Sequence, residues 1–155
     1  MQKVLLKDLE EVYKKECSCP KNKIYPMGGQ CLNKNIIYNA EIISNNEVNN
    51  YIGLCSTSFK SRLSVHKQSF KNSNINQTSL SKHIIKLQRE KNEYSINWKI
   101  IDRGRTFSPI TNNCQLCTKE AYHIIFNPEL SNLNSRNEIF NSCRHRKGAL
   151  LINSI

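Results

Sequence analysis

The stretch IIYNAEIISNNEVNNYIGLCSTSFKSRLSVH, residues 36–66, decides the fold of this chain. Two short β-prone runs, Ile36–Ile43 and Tyr51–Cys55, flank a polar segment, SNNEVNN, whose asparagines favour a turn. This pattern predicts an antiparallel hairpin with a loop longer than a tight turn. A helix is predicted next, with its cap at one of positions 56–58. Four of its side chains recur at helical spacing on one side, which we expect to face inward: Phe59, Leu63, His66 and Phe70.

Downstream of this helix, the sequence predicts further helices and a third strand. A cap at Thr78 or Ser79 begins the second helix, and in SINWKIID, residues 95–102, apolar side chains alternate as in a strand with one buried face. The next helix runs from about Cys117 to Phe126, and one more short helix is expected in LSNLNSRNEIFNSCRHRKG. We therefore predict an α/β fold, with a small three-stranded antiparallel sheet flanked by helices.

The first 34 residues form a separate N-terminal region in this interpretation. Lys3–Glu16 places leucines and other apolar side chains at helical spacing, which predicts an amphipathic helix. Cys17–Cys31 combines prolines, glycines and cysteines, which is typical of a loop that a crosslink or an ion holds in one shape. The expected division is 1–34 for this helix and Cys-rich loop, and 35–155 for the main domain with a basic Cys/His C-terminal tail.

Composition narrows the functional classes. A chain of 155 residues has room for one compact domain or one domain with a small appendage, which excludes a large polymerase or ATPase. Its net charge of +11 and pI near 9.4 favour a phosphate-bearing partner, and nucleic acid is preferred over an anionic membrane. No apolar run has the length of a membrane-spanning helix and no signal peptide begins the chain, so we expect an intracellular protein without a membrane partner.

Five polar side chains are placed as a small nuclease would need them. Tyr38 and Tyr51 lie on the two hairpin strands. Arg62 and His66 are four residues apart on the next helix and share a face, and Glu120 lies on a later helix. Phosphodiester cleavage needs a group that activates water, a cation beside the phosphate oxygens and a metal beside the leaving oxygen. We expect these side chains to face solvent.

A longer series of motifs gives this set a family resemblance. IIY at 36–38 and YIG at 51–53, followed by Phe59-Lys60-x-Arg62 and His66, resemble the signature of the GIY-YIG nuclease superfamily. The runs YIGLCSTSFKSRLSVHKQSF, TSLSKHIIKLQ, INWKII, CQLCTKE, LNSRNE and CRH resemble the GIY-YIG endonuclease domain of Penelope-like retroelements. The similarity covers roughly residues 17–151, and Ile36 stands where the superfamily usually has glycine.

The resemblance implies an enzyme, a GIY-YIG-type DNA endonuclease that hydrolyses a phosphodiester bond with Mg²⁺ or Mn²⁺. In the relatives, a nick in duplex DNA leaves a 3′ hydroxyl that starts target-primed reverse transcription. Double-stranded chromosomal DNA and a reverse transcriptase, in cis or in trans, are therefore the implied partners, and the implied location is nuclear. Glu120 would hold the Mg²⁺ beside the leaving oxygen, and Asn134 would position active-site groups.

The resemblance also assigns roles to the other four polar residues. Tyr38 would help to activate the attacking water, with Tyr51 assisting across the hairpin. Arg62 would stabilise the pentavalent phosphate, a bidentate role that lysine fills poorly. His66 would orient the tyrosines or share protons with them.

Seven cysteines in a chain without an export signal favour metal ligands over disulfides. The C-x-x-C pair at 114 and 117 alone fits zinc binding, redox chemistry or coincidence, and a later Cys-x-His pair strengthens the zinc interpretation. The expected tetrahedral ligands are Cys114, Cys117, Cys143 and His145. A second zinc would use Cys17, Cys19 and Cys31, with Tyr25 at a position where the relatives have a further cysteine.

Several of these residues also have a purely structural interpretation. Tyrosine is common in half-buried sheets, and arginine is common on solvated helix faces. His83 and His123 are expected in surface or core packing, and Cys55 is expected as a buried packing cysteine. The alternative function is a catalytically inactive, zinc-stabilised nucleic-acid-binding module that keeps the fold and the basic surface.

Overall fold

A two-residue turn joins the first two strands into a hairpin. The computed structural model describes residues 27–72, 74, 77–135, 143 and 145. β1 covers Ile36–Ser44 and β2 covers Glu47–Cys55, in continuous antiparallel register. Asn45 and Asn46 between them have φ angles of 50° and 63°, which a type I′ turn requires and asparagine tolerates. The prediction of a longer loop is therefore wrong, because both strands extend into SNNEVNN.

The predicted three-stranded antiparallel sheet is confirmed, with β1 at its centre. β3 covers Ser95–Arg103 and pairs with the side of β1 that β2 leaves open, so the strand order is β2-β1-β3. The β1–β3 register shifts between Ile37 and Tyr38. The apolar side chains of β3 are only half-buried, less than predicted. A second, two-stranded sheet pairs β4, Phe107–Ser108, with β5, Asn113–Cys114.

The helices begin at the caps that the sequence indicates. They are α1, Phe59–Lys71; α2, Ser79–Arg89; α3, Gln115–Phe126; and a 3-10 turn, Pro128–Leu130. The Ser58 hydroxyl accepts a hydrogen bond from the first turn of α1. Thr78 and Ser81 form a reciprocal capping box at the start of α2. α3 begins two residues before its predicted start. The expected N-terminal helix, Lys3–Glu16, lies outside the described residues.

Apolar side chains pack on both faces of the sheet. Ile36 of β1 belongs to a cluster with Phe59 of α1 and Ile84 of α2. Its neighbour Ile37 points to the other face and packs in a second cluster with Leu116 of α3. The sheet therefore lies between α1 and α2 on one side and α3 on the other. None of these helices, in the part of the chain that the structure describes, combines the length and the apolar character needed to cross a membrane.

Candidate functional site

The Tyr38 hydroxyl is the centre of a buried polar cluster. It lies 2.6 Å from Nε2 of His66, and it accepts a hydrogen bond of 3.3 Å from Nε of Arg62. β1 supplies the tyrosine, and α1 supplies the other two side chains from neighbouring turns. These three residues are called the Tyr38 cluster below. The sequence singled out all three, and the structure brings them into direct contact.

Burial decides where the protons of the Tyr38 cluster lie. Loss of solvent raises the pKa of Tyr38 to about 12, although the charge of Arg62 opposes this, so the phenol is protonated at neutral pH. Burial, reinforced by the same guanidinium, lowers the pKa of His66 to about 3, so the imidazole is neutral. Arg62 can only donate, and the imidazole is neutral, so we assign the phenol proton to the hydrogen bond with Nε2 of His66 and the imidazole proton to Nδ1.

Gly53 makes room for the Tyr38 phenol. The two residues are direct partners across the hairpin, with the side chain of Tyr38 lying over the glycine. A Cβ at position 53 would lie 2.5 Å from Cζ of Tyr38 and closer still to its hydroxyl, well inside van der Waals contact. The glycine of the YIG motif therefore has a steric role in this chain: any side chain there would displace the Tyr38 hydroxyl from the position in which it meets His66 and Arg62.

Aromatic rings enclose the Tyr38 cluster. The rings of Tyr51 and His66 are 6.3 Å apart and nearly perpendicular, and Trp98 of β3 lies 5.6 Å from the same imidazole. The expectation that the polar residues face solvent is wrong for Tyr38, Tyr51 and His66, whose exposed fractions are 0%, 5% and 1%. They are buried because they occupy the seam between the sheet and α1, whereas Arg62 is half-buried and extends toward the surface.

Glu120 lies on α3, on the other side of the sheet from α1. It is half-buried, and its negative charge is among the influences that raise the pKa of Tyr38. A single carboxylate is a suitable ligand for Mg²⁺ when substrate phosphate and water complete the coordination shell. Among the described residues, Glu120 belongs to no group of three or more Cys, His, Asp or Glu side chains that could form a complete metal cage.

Asn134 holds the outer edge of β2 beside Tyr51 and Gly53. Its side-chain oxygen accepts from the Ile52 backbone N–H at 2.8 Å, and its side-chain nitrogen donates to the Ile52 carbonyl at 2.8 Å. Two residues earlier, Asn132 accepts from the Asn50 backbone N–H at 2.6 Å. Side-chain amides thus supply the hydrogen bonds that a fourth strand would supply, and they fix the backbone that carries the YIG motif.

The predicted zinc ligands come together in space. The four residues are Cys114, Cys117, Cys143 and His145, called the Cys/His cluster below, and their ligand atoms all lie within 4.8 Å of one another. Nδ1 of His145 lies 3.4, 3.4 and 3.6 Å from the three sulfur atoms, in chain order. Tetrahedral zinc with Zn–S near 2.3 Å and Zn–N near 2.1 Å requires sulfur and nitrogen to be about 3.6 Å apart. The cluster can therefore hold a metal ion such as zinc.

Burial and the neighbouring side chains determine the protonation of the Cys/His cluster. Burial and the two neighbouring thiols raise the pKa of Cys117, because several thiolates are unfavourable together without a cation. Burial lowers the pKa of His145, which keeps the imidazole neutral, as a metal ligand must be. Of the ligands proposed for a second zinc, the described residues include one. Cys31 is buried, with its carbonyl accepting from the backbone of α1, while Cys17, Cys19 and Tyr25 lie outside the described residues.

A further polar group was not foreseen from the sequence. Asp102 of β3 accepts from Nε2 of His123 at 2.8 Å and from Nζ of Lys119 at 3.1 Å. Burial alone would raise the pKa of Asp102, but these donors and a backbone N–H lower it. His123 is thus a hydrogen-bond partner of Asp102 on α3 instead of a packing residue, because β3 and α3 lie side by side only in the folded chain.

No family model, curated protein or solved structure matches this chain. Function is therefore inferred from the side chains. Two arrangements have the geometry for chemistry: the Tyr38 cluster, with Glu120 near it, and the Cys/His cluster. They differ in kind, since the first consists of hydrogen-bonded groups and the second is a set of ligand atoms that could hold a metal ion.

Proposed function

We propose that the chain is a GIY-YIG-type DNA endonuclease that nicks duplex DNA with Mg²⁺. The observation that carries the proposal is the Tyr38 hydroxyl held between Nε2 of His66 and Nε of Arg62, over Gly53. The motif residues that resemble this superfamily are thus in mutual contact. We further propose that the domain is the endonuclease module of a Penelope-like retroelement, acting in the nucleus with a reverse transcriptase on chromosomal DNA.

The Tyr38 cluster provides a path for a proton. Nε2 of His66 is within reach to accept the phenol proton, but burial keeps the pKa of the phenol far above that of the imidazole, so the transfer requires DNA binding to change their surroundings. The phenolate can then accept a proton from an attacking water. The water oxygen then bonds to phosphorus and the bond from phosphorus to the 3′ oxygen breaks. The leaving oxygen takes up a proton from solvent and the protonated His66 releases one to solvent, which leaves the 3′ hydroxyl needed for priming and restores the imidazole. Arg62 already donates to the phenol oxygen, so it stabilises the phenolate and carries a charge that suits the phosphate.

Glu120 is the residue that would hold Mg²⁺. Bound Mg²⁺ would stabilise the negative charge that develops on the leaving oxygen. The chain itself contributes a half-buried carboxylate near enough to influence Tyr38, which fits a hard cation that shares its ligands with DNA phosphate. Mn²⁺ has the same preference for oxygen ligands and would substitute.

One observation favours the second candidate, a zinc-stabilised nucleic-acid-binding module that does not cleave. Tyr38 has no exposed surface, so water reaches its hydroxyl only if DNA binding moves a neighbouring side chain. The same residues would then serve as a buried hydrogen-bonded network that stabilises the domain. The basic surface and the Cys/His cluster would remain useful for binding.

Nicking of supercoiled plasmid separates the two functions. Wild-type protein at low salt should convert plasmid to open circles with Mg²⁺ and not with EDTA. Tyr38→Phe should lower the rate by about 10²–10⁴-fold, as expected for loss of an acid–base group, and Glu120→Gln should lower it through loss of the metal ligand. The matched controls are Tyr122→Phe and Glu129→Gln, at exposed positions, which should retain the wild-type rate. Plasmid that is shifted on a gel but never nicked would favour the binding module.

A further inference from the structure

The two helices on the Tyr38 side of the sheet carry only positive charge. No Asp or Glu occurs in the sequence between Glu47 and Glu90, and neither α1 nor α2 contains one. Five exposed cations of these helices, called the basic helix layer below, are Lys67 and Lys71 of α1 and Lys82, Lys86 and Arg89 of α2. Within the described part of the chain, none of the five forms an ion pair with an acidic side chain.

The three cations of α2, called the α2 row below, point directly away from the core. Lys82, Lys86 and Arg89 recur at intervals of four and three residues and so form one stripe, while the apolar residues of α2 face the sheet on the opposite side. Like charges four residues apart destabilise a helix. Lys82 and Lys86 therefore repel each other, and an anion that covers the row would relieve this repulsion.

The helix on the opposite side of the sheet, α3, has a different pattern of charge. Lys119 of α3 lies 3.1 Å from Asp102, so its charge is compensated within the chain. The most exposed large side chains of α3 are apolar or aromatic, among them Tyr122 and Phe126. Among the described residues, the two helix layers thus differ in charge, and the uncompensated row of cations lies on α2.

We propose that duplex DNA docks on the basic helix layer, an inference that rests on the proposed function. The α2 row spans about 10 Å, a length over which duplex DNA carries about six phosphate charges. An anionic membrane is a poorer match, because Leu80, Ile84 and Leu87 are buried in the core and do not enter lipid. Contacts to phosphates alone carry no sequence information, so docking here confers little sequence preference.

The test compares two double variants with the same loss of charge. Lys82→Gln/Lys86→Gln removes two cations of the layer, and Lys99→Gln/Arg105→Gln removes two exposed cations outside it. Binding of a fluorescent 20-base-pair duplex is measured by anisotropy in EDTA, over about 50–200 mM salt, and thermal melting shows that each variant is folded. The first variant should bind about tenfold more weakly, with a log–log salt slope smaller by up to about 1.8, while the control keeps the wild-type slope.

Binding and nicking give distinguishable outcomes. Equal weakening in both double variants, or no weakening in the first, would overturn the docking surface even if the wild-type protein nicks plasmid normally. Binding of anionic vesicles by the wild-type protein without binding of duplex would overturn it as well. If the first variant binds weakly, the control binds normally and the wild-type protein never nicks, the docking surface is supported and the cleavage proposal fails.

Discussion

The Tyr38 cluster and the Cys/His cluster lie on opposite faces of one sheet and are stabilised in opposite ways. The Tyr38 cluster takes its residues from a central strand and a packed helix, and its donors and acceptors satisfy one another. The Cys/His cluster joins the start of α3 to residues 143 and 145, and its three sulfur atoms and one nitrogen face a common centre. The first site is thus held together by hydrogen bonds between its own side chains, whereas the second is a set of ligand atoms that could hold a metal ion.

Removing zinc tests the Cys/His cluster and should have the largest effect on stability. We expect a chelator to lower the melting temperature by roughly 10 °C, equal to about 3 kcal/mol, because α3 and the C-terminal residues lose their connection. Cys117→Ser should lower the zinc content by one equivalent per chain, measured by elemental analysis. The control is Cys55→Ala, at a buried cysteine outside the cluster, which should keep the wild-type zinc content. A melting temperature unchanged by chelation would show that these side chains hold no structural metal.

Gly53→Ala tests how tightly the Tyr38 cluster is packed. The added methyl group overlaps the phenol of a fully buried tyrosine, so the free energy of unfolding should fall by about 1–3 kcal/mol, measured by urea denaturation. The control is the same substitution in a Tyr38→Leu background, where the overlapping ring is absent and the additional cost should be small. Strictly additive effects of the two substitutions would contradict the proposed contact.

The pH dependence of the free energy of unfolding tests the protonation of His66, and we expect it to be a smaller effect than the two above. Because its pKa is about 3 in the folded chain and near 6.5 in an unfolded one, the unfolded state binds the extra proton between these values. Stability should therefore be complete above pH 6.5 and should fall by up to about 1.4 kcal/mol per pH unit as the pH decreases toward 3.

Urea denaturation at pH 6.5, 5.5 and 4.5 measures this slope. His66→Gln should show a shallower slope than the wild type. His83→Gln should keep most of the slope, because His83 is only half-buried. Identical slopes in the wild-type protein and His66→Gln would show that His66 has the same pKa in the folded and unfolded chain, which would contradict a buried imidazole that stays neutral below pH 6.5.

Local chemistry explains what the sequence predicted well. The hydroxyls of Ser58 and Thr78 cap the two helices because they satisfy backbone N–H groups within three residues, a requirement readable from the chain alone. The three strands follow from alternating or continuous apolar runs. The Cys/His cluster was also predictable, because few residue types bind zinc and Cys114 and Cys117 have the spacing of zinc ligands.

Contacts between distant segments explain what was missed. The hairpin loop was predicted too long because β2 already begins before Tyr51. Pairing of these preceding residues with β1 overrides the preference of their asparagines for turns. Asp102 and His123 meet because β3 and α3 are adjacent, which no local pattern indicates. The burial of Tyr38 was missed for a related reason, since a motif identifies a polar side chain but not the rings that pack around it.

The amides of Asn132 and Asn134 have a consequence for the order in which the chain folds. The β1–β2 hairpin is local in sequence and can close within microseconds. Asn132 and Asn134, which bond to the outer edge of β2, follow it by about 80 positions. A nascent or truncated chain that ends before them presents an open strand edge, which is a template for pairing with another copy. Protection of this edge against aggregation is therefore gained only when Asn132 and Asn134 have been added and have bonded to β2.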